Sequence, residues 1–81
     1  MNSSVPSIDH TALNVRFDDN SVMFDLADGR MISAPLAWFP RLLSANVAQR
    51  SNWRLIGRGY GVHWPDIDED ISIPGLQGLP D

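Results

Sequence analysis

From Ala12 to Phe17 the chain alternates, with Leu13, Val15 and Phe17 on one side and Asn14 and Arg16 on the other. A period of two marks a strand with one buried face. Asp18-Asp19-Asn20-Ser21 has the composition of a turn, and the alternation resumes in Val22, Phe24 and Leu26. Pairing Phe17 with Val22, Val15 with Phe24 and Leu13 with Leu26 places all six apolar side chains on one face of an antiparallel hairpin. A second hairpin turns at Asp28-Gly29. A two-residue loop there would pair Phe24 with Ser33 and put Ile32 on the wrong face. A three-residue loop, Ala27-Asp28-Gly29, pairs Phe24 with Ile32 and Val22 with Ala34, with Gly29 left-handed in a glycine bulge. Pro35 lacks a donor and ends the strand.

The period changes after Pro35. Trp38 or Phe39 with Leu42 and Leu43 has helical spacing, and Pro40 fits only a first turn. These residues predict a short helix over about 38–45, lying across the apolar face of the sheet, with a further turn over Val47–Ser51. Trp53-Arg54-Leu55-Ile56 predicts a fourth strand, and Gly57, Gly59 and Gly61 a tight or bulged connection. Val62-His63-Trp64 predicts a return strand stopped by Pro65, and Ile71-Ser72-Ile73 a last strand, with Leu76 and Leu79 in a terminal turn. The fold class expected is α+β: a small meandering antiparallel β-sheet with one short α-helix packed on one face. Residues 1–11 read as a flexible N-terminal lead-in and residues 12–81 as a single domain.

At 81 residues one core is only just sufficient, and with no cysteine neither a disulfide nor thiolate-held zinc can staple it. The first residues have neither the basic region nor the apolar run of a signal peptide, and no segment has the roughly 20 apolar residues of a membrane span. The expected location is cytoplasmic.

The net charge of −4 is unevenly spread. Residues 1–28 carry five aspartates and one arginine, residues 29–65 five arginines and no acid, and residues 66–81 five acids. Either these segments neutralise one another in the folded domain, or an acidic face survives and attracts a basic partner.

The densest chemistry lies in Asp66, Asp68, Glu69 and Asp70. Their spacing opens like a calcium loop, but Ile71 stands where that loop needs glycine and Gln77 where it needs a bidentate glutamate. His63 and His10 belong to no nucleophile–base or metal-ligand pattern, and lysine is absent, which removes Schiff-base chemistry. Gly57-Arg58-Gly59-Tyr60-Gly61 precedes no helix whose free amides would cradle a phosphate. The expectation is therefore no catalytic residue, no metal and no cofactor. Arg50, Arg54 and Arg58, interleaved with Trp53 and Tyr60, resemble a single-strand-binding surface, against which the acidic sequence pI near 4.8 argues. Conversely, acids at every second residue can imitate a row of phosphates, unless they form a solvated turn or pair with Arg30, Arg54 and Arg58.

Two strings, DGR…PLAWFPRLL and HWPDIDEDI, together with the R-x-x-W step at Arg50–Trp53, resemble the small bacterial domain of unknown function numbered 2442. The resemblance runs from about residue 12 to residue 79. It implies an α+β fold with an antiparallel sheet and no established reaction. Genes of this kind lie beside a second small gene, which implies a type II antitoxin that binds and masks a toxin; some relatives add a helix-turn-helix, and this chain has none of that pattern before Asp81. The function expected is a non-enzymatic, antitoxin-like protein-binding module. The alternatives are a phage or mobile-element inhibitor (anti-CRISPR or anti-nuclease type) with a nucleic-acid-mimicking face, and direct nucleic-acid binding. Its partner would be a toxin or a nucleic-acid-binding host protein. The contact residues expected are Trp38, Arg41, Tyr60, His63, Asp66, Asp68, Glu69 and Asp70, with Trp53 and Trp64 in the core and a homodimer reasonable for so small a domain.

Overall fold

The computed structural model describes residues 9–78. Strands β1 (Ala12–Phe17), β2 (Ser21–Leu26) and β3 (Met31–Pro35) form one antiparallel sheet in the order β1-β2-β3. A 3-10 turn, Leu36–Trp38, leads into α1 (Pro40–Ser44) and α2 (Val47–Ser51). Strand β4 (Arg54–Ile56), a 3-10 turn at Gly57–Gly59, β5 (Gly61–Trp64) and β6 (Glu69–Ser72) make a second sheet in the order β4-β5-β6, and α3 (Ile73–Leu76) follows. The α+β class and the antiparallel meander are those expected, but the strands divide between two three-stranded sheets rather than forming one. The helical segments between Pro35 and β4 interrupt the meander.

The hairpin registers follow side-chain parity. Phe17 pairs with Val22 and Val15 with Phe24, then Phe24 with Ile32 and Val22 with Ala34. At the tip of β2–β3 the Leu26 N–H donates to the Arg30 carbonyl at 2.8 Å and Gly29 sits at φ +91°, the glycine bulge predicted. One expectation fails in β1. A bulge between Ala12 and Asn14 shifts the register so that Ala12, not Leu13, pairs with Leu26. Ala12 is buried and Leu13 is left 59% exposed. A single extra residue reverses the facing of everything beyond it.

The predicted helix over 38–45 is broken at Phe39, which has φ −128° and ψ 83°. The residue before a proline is pushed out of the helical region, so the 3-10 turn ends there and α1 starts with Pro40 in its first turn. α2 is held by a capping box in which Asn46 Oδ1 accepts from the Gln49 N–H at 2.8 Å and Gln49 Oε1 from the Asn46 N–H at 3.0 Å. β6 begins two residues earlier than predicted, pairing Glu69 with Trp64, and ends at Ser72. There the Ser72 hydroxyl accepts from the Gly75 N–H, so Ile73 opens α3 instead of closing the strand. Leu79 lies outside the described residues.

One core joins both sheets. Val22, Phe24, Leu36, Leu42, Val62, Trp64 and Ile73 are its largest fully buried side chains, with Phe17, Phe39 and Trp53 packed against it. The Phe17 and Trp64 rings meet edge to face at 6.4 Å, linking β1 to β5. Of the lead-in, residues 1–8 lie outside the described residues. Asp9 and Thr11 are hydrogen-bonded to the β2–β3 turn: the Asp9 N–H donates to Asp28 Oδ2 and the Ala27 N–H to the Thr11 carbonyl.

Candidate functional site

The acidic segment forms the turn between β5 and β6. Pro65 stops β5, and Asp68 adopts the left-handed conformation at φ +53°, which aspartate tolerates better than most residues. Each carboxylate has a different environment. Asp66 Oδ2 accepts from Asn52 Nδ2 at 3.0 Å, and Glu69 Oε1 accepts the backbone N–H of Asp70 at 3.0 Å. Asp70 and the His63 Nδ1 share a hydrogen bond across the β5–β6 pair. The carboxylate of Asp68 is exposed, while its backbone carbonyl accepts from the Arg41 guanidinium. Ile67, between Asp66 and Asp68, turns inward onto the core.

No arginine among the described residues forms an ion pair with a carboxylate of this turn; the Arg41 guanidinium meets the Asp68 backbone carbonyl instead. Among the described residues the arginine ion pairs are Arg16 with Asp25 and Arg30 with Asp28, both at 2.7 Å. Of the two alternatives to a free acidic face, a solvated turn or pairing with Arg30, Arg54 and Arg58, the pairing is not found among the described residues. Arg30 is held in the β2–β3 turn by Asp28, and Arg54 and Arg58 lie exposed without an ion pair among the described residues. Register is the reason. Arg54 stands opposite His63, and His63 stands between it and Asp70.

Of the sequence-predicted contact residues, the structure brings Arg41, Asp66, Asp68, Glu69, His63 and Asp70 together at one end of the second sheet. Arg41 is the link: it sits in α1, and its bond to Asp68 fastens α1 to the acidic turn. Trp38, three residues earlier, is 63% exposed. Tyr60 is not part of this group. It lies at the opposite end of β5, where its carbonyl accepts from the Ile73 N–H at 2.8 Å and its side chain is exposed. Trp64 is fully buried with its indole N–H donating to the Arg50 carbonyl at 3.1 Å, and Trp53 is half-buried.

Arg50 has a role that charge interleaving did not reveal. Its Nε donates to the Leu42 carbonyl at 3.0 Å and its NH2 group to the Leu43 carbonyl at 3.2 Å, capping the end of α1. A groove of about 330 Å³ lies beside it, lined by Phe17, Asp18, Asp19, Val47, Arg50 and Ser51. Asp18 is committed there as a turn cap, accepting from the Asn20 and Ser21 N–H groups at 2.9 and 2.7 Å. No group of three or more histidine, cysteine or acidic side chains among the described residues could hold a metal ion. No helix among them is long and apolar enough to cross a membrane.

A second polar cluster joins His10, Arg30 and Gln77. Arg30 donates from Nε to Asp28 at 2.7 Å and from NH1 to Gln77 Oε1 at 3.2 Å, and the His10 Nδ1 accepts from Gln77 Nε2 at 2.8 Å. Hydrogen bonds from the Asp9 and Arg30 backbone N–H groups, then the Arg30 guanidinium, hold the Asp28 carboxyl below the usual carboxylate range. Asp9 is lowered by its hydrogen bonds from Thr11, and Asp25 by Arg16. The DGR string is thus a structural clasp.

None of the curated proteins matches the chain. A solved structure, a protein of unknown function from Rhodospirillum rubrum ATCC 11170, is similar at 33% identity and a TM-score of 0.70, over 85% of this chain and 87% of that one. The family model described as "Protein of unknown function (DUF2442)" matches residues 12–78, a span that takes in both hairpins, the helical segments and the acidic turn. The chain therefore belongs to the DUF2442 family.

Proposed function

We propose that this chain is a protein-binding module without chemistry of its own, which neutralises or tethers a partner protein in the manner of an antitoxin. The observation that carries the reading is the bond from Arg41 to the Asp68 carbonyl, which fastens the segment bearing an exposed tryptophan to an acidic turn whose carboxylates form no ion pair with arginine among the described residues. An exposed indole beside charged groups is the composition of an interface hot spot with its polar rim. The acidic turn favours a basic partner surface and speeds encounter with it.

Co-expression with the product of the small neighbouring gene that the family resemblance implies, followed by calorimetry and a growth-arrest assay, tests this. A stable complex that relieves the partner's toxicity is expected, with Trp38→Ala weakening it at least roughly 30-fold, the loss of a hot spot of about 2 kcal/mol. The reading fails if the complex does not form, or if Trp38→Ala and Asp66→Asn/Asp68→Asn both bind as the parent does.

The same turn supports a second reading, an inhibitor that imitates nucleic acid towards a DNA- or RNA-binding protein. Competition separates the two. Duplex DNA displaces the chain from a partner bound through mimicry and leaves an antitoxin-like complex intact.

A further inference from the structure

We propose that β4 is a docking edge for an added β-strand, supplied by a partner polypeptide that carries an acidic residue opposite Arg54 and an apolar one opposite Leu55. The proposal uses neither Trp38 nor the acidic turn, so it stands or falls apart from the reading above. The two sheets have four outer strands, and three carry a device that discourages pairing. β1 is bulged between Ala12 and Asn14, β3 ends in Pro35, and in β6 the Asp70 N–H is already taken by the Glu69 carboxylate. Among the described residues β4 has no bulge, no proline and no such cap.

All three β4 residues are exposed, including Leu55 and Ile56 at 40% each. Leu55 belongs to the row Leu55–Val62–Ile71, of which Val62 and Ile71 are buried, so an added strand would complete that row with an apolar side chain. On the other face Arg54, His63 and Asp70 form a cross-strand row with the cation outermost and without an ion pair among the described residues. The next strand out therefore favours an acid there. Arg54 also selects against a second copy, since pairing two three-residue β4 strands would bring the two Arg54 cations close together.

The test uses a capped hexapeptide of alternating Asp and Val as probe, with a Lys/Val peptide as control, titrated into the isotope-labelled chain and followed by backbone amide shifts. Shifts centred on Arg54–Ile56 and Val62 are expected with the Asp/Val peptide. Binding should be weaker by about tenfold for the Lys/Val peptide and for the exposed-site variant Arg54→Glu, as the attractive pair at Arg54 becomes repulsive. The amide spectrum of the variant reports in the same experiment that it is folded. Absence of shifts at millimolar peptide, shifts scattered over the surface, or equal affinity for the two peptides would overturn the proposal. So would concentration-dependent shifts at Arg54–Ile56 without peptide, which would make the occupant a second copy of the chain.

Discussion

The guanidinium of Arg50 lies 5.5 Å from the centroid of the Phe17 ring, so a residue of α2 is stacked on the last residue of β1. The same side chain bonds two carbonyls at the end of α1, and its own carbonyl receives the indole N–H of Trp64. Arg50 thus connects both short helices to both sheets, in a domain whose helices are too short to be stable alone.

Arg50→Ala is expected to lower stability by about 2–3 kcal/mol, from the lost charge-assisted hydrogen bonds and the cation–π contact. Arg50→Lys should restore less than half of that, because an ammonium cannot reproduce the fork that reaches two carbonyls. Urea unfolding followed by tryptophan fluorescence measures both.

Trp38 and Trp64 should behave oppositely. Trp38→Ala is expected to change stability by no more than about 0.5 kcal/mol, since the side chain is largely in solvent. Trp64→Ala should cost about 3–5 kcal/mol, enough to unfold so small a domain. Thermal unfolding by circular dichroism separates them, and the result for Trp38 decides whether its binding phenotype can be interpreted.

Gly59 and Gly57 both have positive φ, at +89° and +56°, but only one is crowded. A Cβ on Gly59 would lie 2.4 Å from Thr11 Cγ2 and 3.2 Å from the Ala12 carbonyl, where the β4–β5 connection meets the start of β1. Gly57→Ala should cost about 1–2 kcal/mol for the left-handed backbone alone, and Gly59→Ala clearly more. Adding Thr11→Ser to Gly59→Ala should recover the steric share, which a double-mutant cycle in urea would read as a favourable coupling.

The clasp around Asp28 makes an acid-sensitive contribution. Its carboxyl is held below the ordinary range in the folded state, so the folded chain binds fewer protons than the unfolded one as pH falls. The stabilisation is complete above the ordinary carboxylate value of about 4 and is lost as pH falls through the lower folded value. Asp28→Asn should be less stable than the parent at pH 7 and lose less on acidification. Asp9 and Asp25, lowered in the same direction, keep some slope in the variant. Urea midpoints between pH 7 and pH 3 test the sign.

Much of the first half of the fold was legible in the sequence because it depends on parity and local turn chemistry. Val15, Phe17, Val22, Phe24 and Ile32 can share a face only in the observed register, and Gly29 permits only certain loops. Leu13 misled because a bulge leaves no mark in the alternation. The break at Phe39 had a readable cause in Pro40, and the end of β6 had one in Ser72-Ile73-Pro74, a cap followed by an early proline. In the candidate site, Asp66, Asp68, Glu69 and Asp70 were conspicuous as a composition. Their partners were not, since Asn52 reaches Asp66 from before β4 and His63 meets Asp70 only through the register of β5 with β6.

The hairpins, the α+β class and the family could be read along the chain, because strand period, glycine turns and a long motif are properties of neighbouring residues. Packing settled the rest: the meander splits into two sheets, Arg41 rather than Arg54 or Arg58 holds the acidic turn, and Arg50 belongs to the framework. Those outcomes depend on which charges packing brings within hydrogen-bond reach, and opposite charges along a chain do not specify their own pairing.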